Sequence, residues 1–178
     1  MTMTMTKTSI RATAKASGTI AYAGGVGPRS VAPPTPEGNK AVVRRFVEEV
    51  VNGGSTAALR ELVAGNHVTH ELIGDHYGPE GVRIGLAGYR EAFPDLEVTI
   101  DDLVAEGDRV VRRFTARGTH TGPLMGVAPT GRVVTVTGIW IDRLAGGRLV
   151  ESWLSFDALG LLRQIGAIPP VADPDCHP

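Results

Sequence analysis

Cysteine is almost absent from these 178 residues, and the single one, Cys176, lies among Asp173, Pro174, Asp175, His177 and Pro178. A lone thiol excludes a disulfide within the chain, and the segment 169–178 reads as a disordered tail with no base to activate the thiol. Charge of one sign is missing too: 18 basic residues face 19 acidic ones, and Lys and Arg form no cluster. Nucleic acid and anionic membrane surfaces therefore lose their electrostatic footprint as partners. No apolar run approaches the roughly 18 residues that a membrane span needs, so no membrane partner is expected. The remaining partners are a hydrophobic small-molecule substrate and further copies of the chain. A cytoplasmic location is expected, with a cleaved N-terminal targeting segment as the alternative.

Composition divides what is present. Residues 1–38 are rich in Thr, Ala, Gly and Pro, carry Lys7, Arg11, Lys15 and Arg29 against Glu37, and lack helical or strand periodicity. They read as a disordered leader ending in the polyproline-type spacer Ala32-Pro33-Pro34-Thr35-Pro36. An acid-poor, Arg- and Thr-containing start also fits a targeting peptide, but its apolar stretch at 20–26 is short and broken by Gly24 and Gly25.

One domain is expected over 39–168. Val42, Val43, Phe46, Val47 and Val50 recur at helical spacing until Asn52-Gly53-Gly54 stops them. Ser55 is placed to cap a second helix through Leu59 and Leu62, and a brief strand follows over 67–72. A third helix runs from the Gly78-Pro79-Glu80-Gly81 segment to Phe93, ended by Pro94. Beyond it the period changes to two. Segments 96–106, 109–120, 132–143 and 148–157 are rich in Val, Ile and Thr and are separated by glycine-containing turns, which predicts an antiparallel meander, with a last helical turn over 159–164. The fold class is α+β: a curved antiparallel sheet whose concave side three N-terminal helices close into a cone with a central pocket.

The segment Arg90-Glu91-Ala92-Phe93-Pro94-Asp95-Leu96, followed by Ile100-Asp101-Asp102-Leu103-Val104-Ala105-Glu106-Gly107-Asp108, resembles the central block of the SnoaL-like polyketide or ester cyclases. Gly118-Thr119-His120-Thr121-Gly122, Pro129-Thr130-Gly131-Arg132, and the run from Glu151-Ser152-Trp153-Leu154-Ser155-Phe156-Asp157 to Gly160-Leu161-Leu162-Arg163-Gln164-Ile165-Gly166 resemble it also, in order and over the whole domain. The resemblance implies the nuclear-transport-factor-2-like fold. That fold also carries epoxide hydrolases, isomerases, dehydratases and non-catalytic subunits, so chemistry has to be argued from the site.

The resemblance puts the acid/base role on Asp157, whose strand alternation groups it with Glu151, Trp153 and Ser155; the same Asp is also well placed to cap the following helix. His120, between Gly118 and Gly122 at a strand end, is the second catalytic candidate. Substrate-pocket candidates are Trp153, Glu151, His70, Phe114, Tyr89 and Trp140, with His67 and His76 ranked behind them. Arg112, Arg113, Arg117 and Arg132 read as solvated outer-face residues in preference to contacts with a substrate carboxylate. His67, Glu71 and His70 fail as a metal set because strand alternation points the two histidines to opposite faces. No phosphate-cradling glycine loop is present, so neither a metal nor an organic cofactor is expected.

The function expected is an intramolecular aldol-type ring closure on a polycarbonyl substrate by carboxylate acid/base catalysis. The alternatives are an epoxide-opening cyclase or hydrolase in the same pocket, and a non-catalytic binding module. Val111, Val133, Ile139 and Ile141 on the outer sheet face lead to the expectation of a homodimer.

Overall fold

The computed structural model of the protein describes residues 35–72 and 74–169. Most of the leader expected over 1–38 and of the tail expected over 169–178, with Cys176, lies outside the described residues. The folded region begins earlier than composition indicates. Thr35 Oγ1 accepts the Gly38 N–H at 3.0 Å, and Pro36 occupies the start of a helix, α1, over Pro36–Arg45. Proline fits there because its fixed φ suits the first turn, where its missing N–H would have no helical partner. The boundary at 38/39 thus moves back to Thr35, since the last prolyl residue read as spacer opens the helix.

A π-helical segment, Phe46–Asn52, follows α1 directly. Its wider turn brings residues five apart onto one side, and Phe46 and Val51 both reach the interior cavity. Helix α2, Thr56–Leu62, is capped by Ser55, which accepts from the Ala58 N–H at 3.1 Å. Helix α3 spans Gly78–Ala92, and Arg90 from its last turn donates to the carbonyls of Val50 and Val51. That side chain caps carbonyls at the end of the π segment, where Val50 also accepts from the Gly54 N–H at 3.0 Å.

Strands β1 (Val63–Glu71), β2 (Gly74–Tyr77), β3 (Glu97–Glu106), β4 (Arg109–Thr119), β5 (Val133–Ala145) and β6 (Arg148–Phe156) form one sheet in the order β2-β1-β6-β5-β4-β3. Strands β3 to β6 are the antiparallel meander read from the turn signals. The sheet as a whole is mixed, which corrects the wholly antiparallel expectation: β1 lies parallel to β6, and β2, absent from the sequence reading, pairs antiparallel with β1. A parallel pair needs a long crossover, and α3 with the first three meander strands supplies it. Helix α4, Ala158–Gln164, follows β6.

A bulge decides which side chains face inward. In β6, Leu149 pairs with Leu144 and Glu151 with Arg143, leaving Val150 without a cross-strand partner. One extra residue reverses the alternation. Buried Leu149 is therefore followed on the inner face by Ser152, Leu154 and Phe156, while Glu151 and Trp153 turn outward.

Two clusters of buried apolar side chains hold the domain together. One joins α1, the π segment and α2 to Val82, Val110, Leu144 and Leu149; the other joins Ala92, Phe93, Leu124, Val134, Val136, Leu161 and Ile165. A cavity lined by members of both lies between the helices and the concave sheet face.

Candidate active-site cavity

The cavity has a volume of about 140 Å³. Most of its wall is apolar, contributed by Phe46, Leu86, Phe93, Phe114, Trp140 and Phe156 among others. Into this wall β1, β4 and β6 insert polar side chains through simple alternation: His67, Thr69 and Glu71 from β1, Arg112 from β4 and Ser152 from β6, with Tyr89 entering from α3.

These groups form two arrangements. The first is a chain with a fixed direction. Asp142, fully buried on β5, can only accept when ionised, so Ser152 Oγ donates to its Oδ1 at 2.7 Å. Having spent its proton there, Ser152 Oγ accepts from His67 Nε2 at 3.1 Å. His67 is then protonated on Nε2, and Nδ1 keeps a lone pair, 3.4 Å from the Thr69 hydroxyl. Burial lowers the His67 pKa, and the Asp142 and Glu151 charges oppose it only in part; the imidazole is thus neutral near pH 7 and able to accept a proton.

Arg112 closes the chain from the other side. Its Nε lies 2.9 Å from Asp142 Oδ2, with side chains only 3% and 1% exposed. The contact is poorly aligned for a hydrogen bond, and the pair is held mainly by opposite charge. The guanidinium carbon sits 4.9 Å from the Trp140 ring centre and 5.6 Å from that of Phe46. Burial pulls the Arg112 pKa down while Asp142 holds it up.

The second arrangement is Glu71 with Tyr89. The tyrosine hydroxyl lies 3.4 Å from Glu71 Oε2. Burial raises the Glu71 pKa, offset in part by His76 and by the tyrosine hydrogen bond, and burial together with the glutamate raises that of Tyr89. A desolvated carboxyl beside a phenol can hold or release a proton at less extreme pH than in water.

The structure brings together three of the residues selected from sequence, Phe114, Tyr89 and Trp140, in the cavity wall. It moves the others. Asp157 is exposed and caps α4, accepting from the Gly160 N–H at 2.8 Å, outside the cavity lining. His120 is fully buried beside Phe93, not in the lining; its Nδ1 meets Thr130 Oγ1 at 3.0 Å and its carbonyl accepts from the N–H groups of Thr130 and Gly131. It pins a loop. Glu151 and Trp153 occupy the outer face because of the β6 bulge, and His70 because it alternates on β1 with the inward Thr69 and Glu71; His70 bonds Asp75 at 2.9 Å and Glu151 at 3.3 Å and stacks on Trp153. Arg112, read as solvated, is interior. Asp142 and Ser152 were missed: Asp142 shares the phase of the buried Val134, Val136 and Leu144 on β5, and Ser152 that of Leu154 and Phe156 once the bulge is known. His67 was ranked low and Glu71 weighed only as a metal ligand, because β1 has no apolar alternation that marks them as inward.

The family model for SnoaL-like polyketide cyclases matches residues 41–165. Among solved structures, a candidate SnoaL-like polyketide cyclase from Jannaschia sp. CCS1 is 28% identical with a TM-score of 0.70, covering 79% of this chain and 99% of that one. IdmH from Streptomyces antibioticus, described as a candidate polyketide cyclase, is 33% identical with a TM-score of 0.64, covering 72% of this chain and 98% of its own. AclR from Streptomyces galilaeus, described as a candidate hydroxylase, is 28% identical with a TM-score of 0.68, covering 77% and 86%. No curated protein sequence matches.

Proposed function

Since the chain belongs to the SnoaL-like polyketide cyclase family, we propose that it closes a carbon–carbon ring within one polycarbonyl molecule, with His67 as the base. The directed chain from Asp142 through Ser152 to His67 carries this reading, because it leaves Nδ1 as a lone pair in a buried, neutral imidazole. An aldol-type closure begins when an α-proton leaves the substrate carbon. Nδ1 takes that proton, and the imidazolium that forms is stabilised through Ser152 by the Asp142 carboxylate. The new alkoxide requires a proton in return, which either His67 or the protonated form of Glu71 can deliver. Apolar walls supply orientation by folding the substrate so that nucleophilic carbon and carbonyl meet, which is where much of the rate originates.

Incubating the protein with polycarbonyl aromatic-polyketide mimics and analysing products by mass spectrometry tests the reading. A cyclic isomer, or its dehydrated form, is expected. His67→Gln, which retains a donor to Ser152 but no base, is expected to reduce turnover about 10²-fold or more with an unchanged melting temperature. Substrates that bind and return unchanged would make the cavity a binding module; full turnover in His67→Gln would remove the base assignment.

The outer sheet face supports a homodimer as part of the same proposal. Val104, Val111, Ile139 and Ile141 are all exposed there, and Val104, Val111, Ile141 and Trp153 lie in cross-strand register. An apolar row of this kind on a sheet face is suited to burial against a second copy.

A further inference from the structure

Among the cavity's polar groups, Arg112 stands apart because the proton chain gives it no role beyond balancing the Asp142 charge. A guanidinium carries five N–H donors in a planar fork. Asp142 lies 2.9 Å from Nε, and the buried Nε–H donates no well-aligned hydrogen bond among the described residues. A buried donor so poorly matched is costly. Such an arrangement persists where a ligand completes it. The ring faces of Trp140 and Phe46 hold the guanidinium plane, and Arg112 itself forms part of the cavity wall.

We infer that Arg112 is the substrate-orienting and specificity-determining residue of the cavity: its Nη donors grip two oxygens of one ligand, the paired carbonyls of a neutral β-dicarbonyl unit. The inference rests on the ring-closure reading and assigns the residue that selects which carbon reacts.

Charge decides between a neutral ligand and an anion. Arg112 and Asp142 already neutralise each other in a largely apolar wall, so a carboxylate bound there would add a buried negative charge with no counter-ion. A neutral β-dicarbonyl adds none. When its central carbon loses a proton to His67 Nδ1, the C–H electron pair spreads over both oxygens as an enolate, and the proton makes His67 a cation. One new negative charge and one new positive charge arise together. The enolate is met by the Arg112 fork, whose planar geometry matches two coplanar oxygens better than an ammonium does. No oxidant or co-reactant enters.

Ligand binding by the full chain, without turnover, tests this. Benzoylacetone is the β-dicarbonyl probe, butyrophenone the aryl ketone lacking the second carbonyl, and phenylbutyrate the carboxylate. Wild type is expected to bind benzoylacetone at least about tenfold more tightly than butyrophenone, the worth of one charge-assisted hydrogen bond, and to shift its ultraviolet absorbance to the enolate band. Arg112→Lys keeps the cation and removes the fork; it is expected to lose both the preference and the spectral shift. If Arg112→Lys does not fold, the double variant Arg112→Met with Asp142→Leu removes both charges and serves as the folded comparison. Equal affinity for the two ketones in wild type, or a folded variant that keeps the preference, would overturn the assignment. Tighter binding of phenylbutyrate than of benzoylacetone would overturn the neutral ligand. Because binding alone is read, a protein that discriminates these probes yet closes no ring would refute the catalytic reading while leaving Arg112 as the selecting group.

Discussion

Asp157, just past β6, and Asp142, on β5, show how differently two aspartates are used. Asp157 accepts a backbone N–H at an exposed helix start, a role that Asn can share and Ala cannot. Asp157→Ala is therefore expected to lose about 1 kcal/mol of stability in a denaturant titration, and Asp157→Asn close to none, with ligand binding intact in both. Asp142 is the anion of a buried pair. Asp142→Leu alone strands the Arg112 cation and is expected to cost about 3–5 kcal/mol, whereas pairing it with Arg112→Met recovers most of that loss in the same measurement. His70, on the outer face, gives a pH signature. Its hydrogen bond to Asp75, followed by that to Glu151, raises its pKa above the usual imidazole value, against a smaller effect of desolvation. A folded-state pKa above the unfolded one means that the contribution is fully present below the unfolded pKa and disappears as pH rises through the folded one. The gap in melting temperature between wild type and His70→Gln is thus expected to be wider near about pH 5.5 than near about pH 8.5, on either side of the imidazole range. An unchanged gap would show that the Trp153 stacking, not the charge, is what His70 contributes.

At the level of elements, β5 and β6 are shaped by a close approach and a bulge. Gly138 sits where a Cβ would lie 2.7 Å from Phe114 Cε1 and Cζ and from the Ser155 carbonyl oxygen. The ring can rotate away, but the backbone oxygen belongs to the neighbouring strand. Gly138→Ala is expected to destabilise the protein by about 1–3 kcal/mol, the scale of overpacking, and to weaken ligand binding by displacing Phe114 within the cavity wall. Wild-type melting and affinity in that variant would show that the strands separate locally at no cost. The Val150 bulge has the larger consequence. It sets the phase that puts Ser152 against Asp142 on the inside and Glu151 against Arg143 at 2.8 Å on the outside.

For the molecule as a whole, the outer sheet face is the surface on which assembly depends. A dimer mass by light scattering at micromolar concentration is expected for wild type, and Ile141→Lys, in the middle of the apolar row, is expected to give monomers with the ligand cavity unaffected. A wild-type monomer would leave the row without a partner copy. Much of this architecture was legible in the chain. The caps at Ser55 and Asp157, the stop at Pro94 and the four meander strands follow from local rules of side-chain entropy, capping and two-residue alternation, which act over a few neighbours. Strand β2 was not legible because Gly74-Asp75-His76-Tyr77 has no apolar alternation; pairing with β1 makes it a strand. The inward set of β6 was misread for a related reason: a bulge is a property of two strands and leaves no mark on one. Arg112 carries a polar side chain that a single sequence assigns to solvent by default, and His67 was ranked low because nothing local marks its burial. Sequence alone determined the helices, the meander strands and their order, because their backbone conformation is chosen locally. Only the tertiary structure decided which charges are buried together, because desolvation and pairing depend on residues that the chain brings side by side from 30 to 85 positions apart.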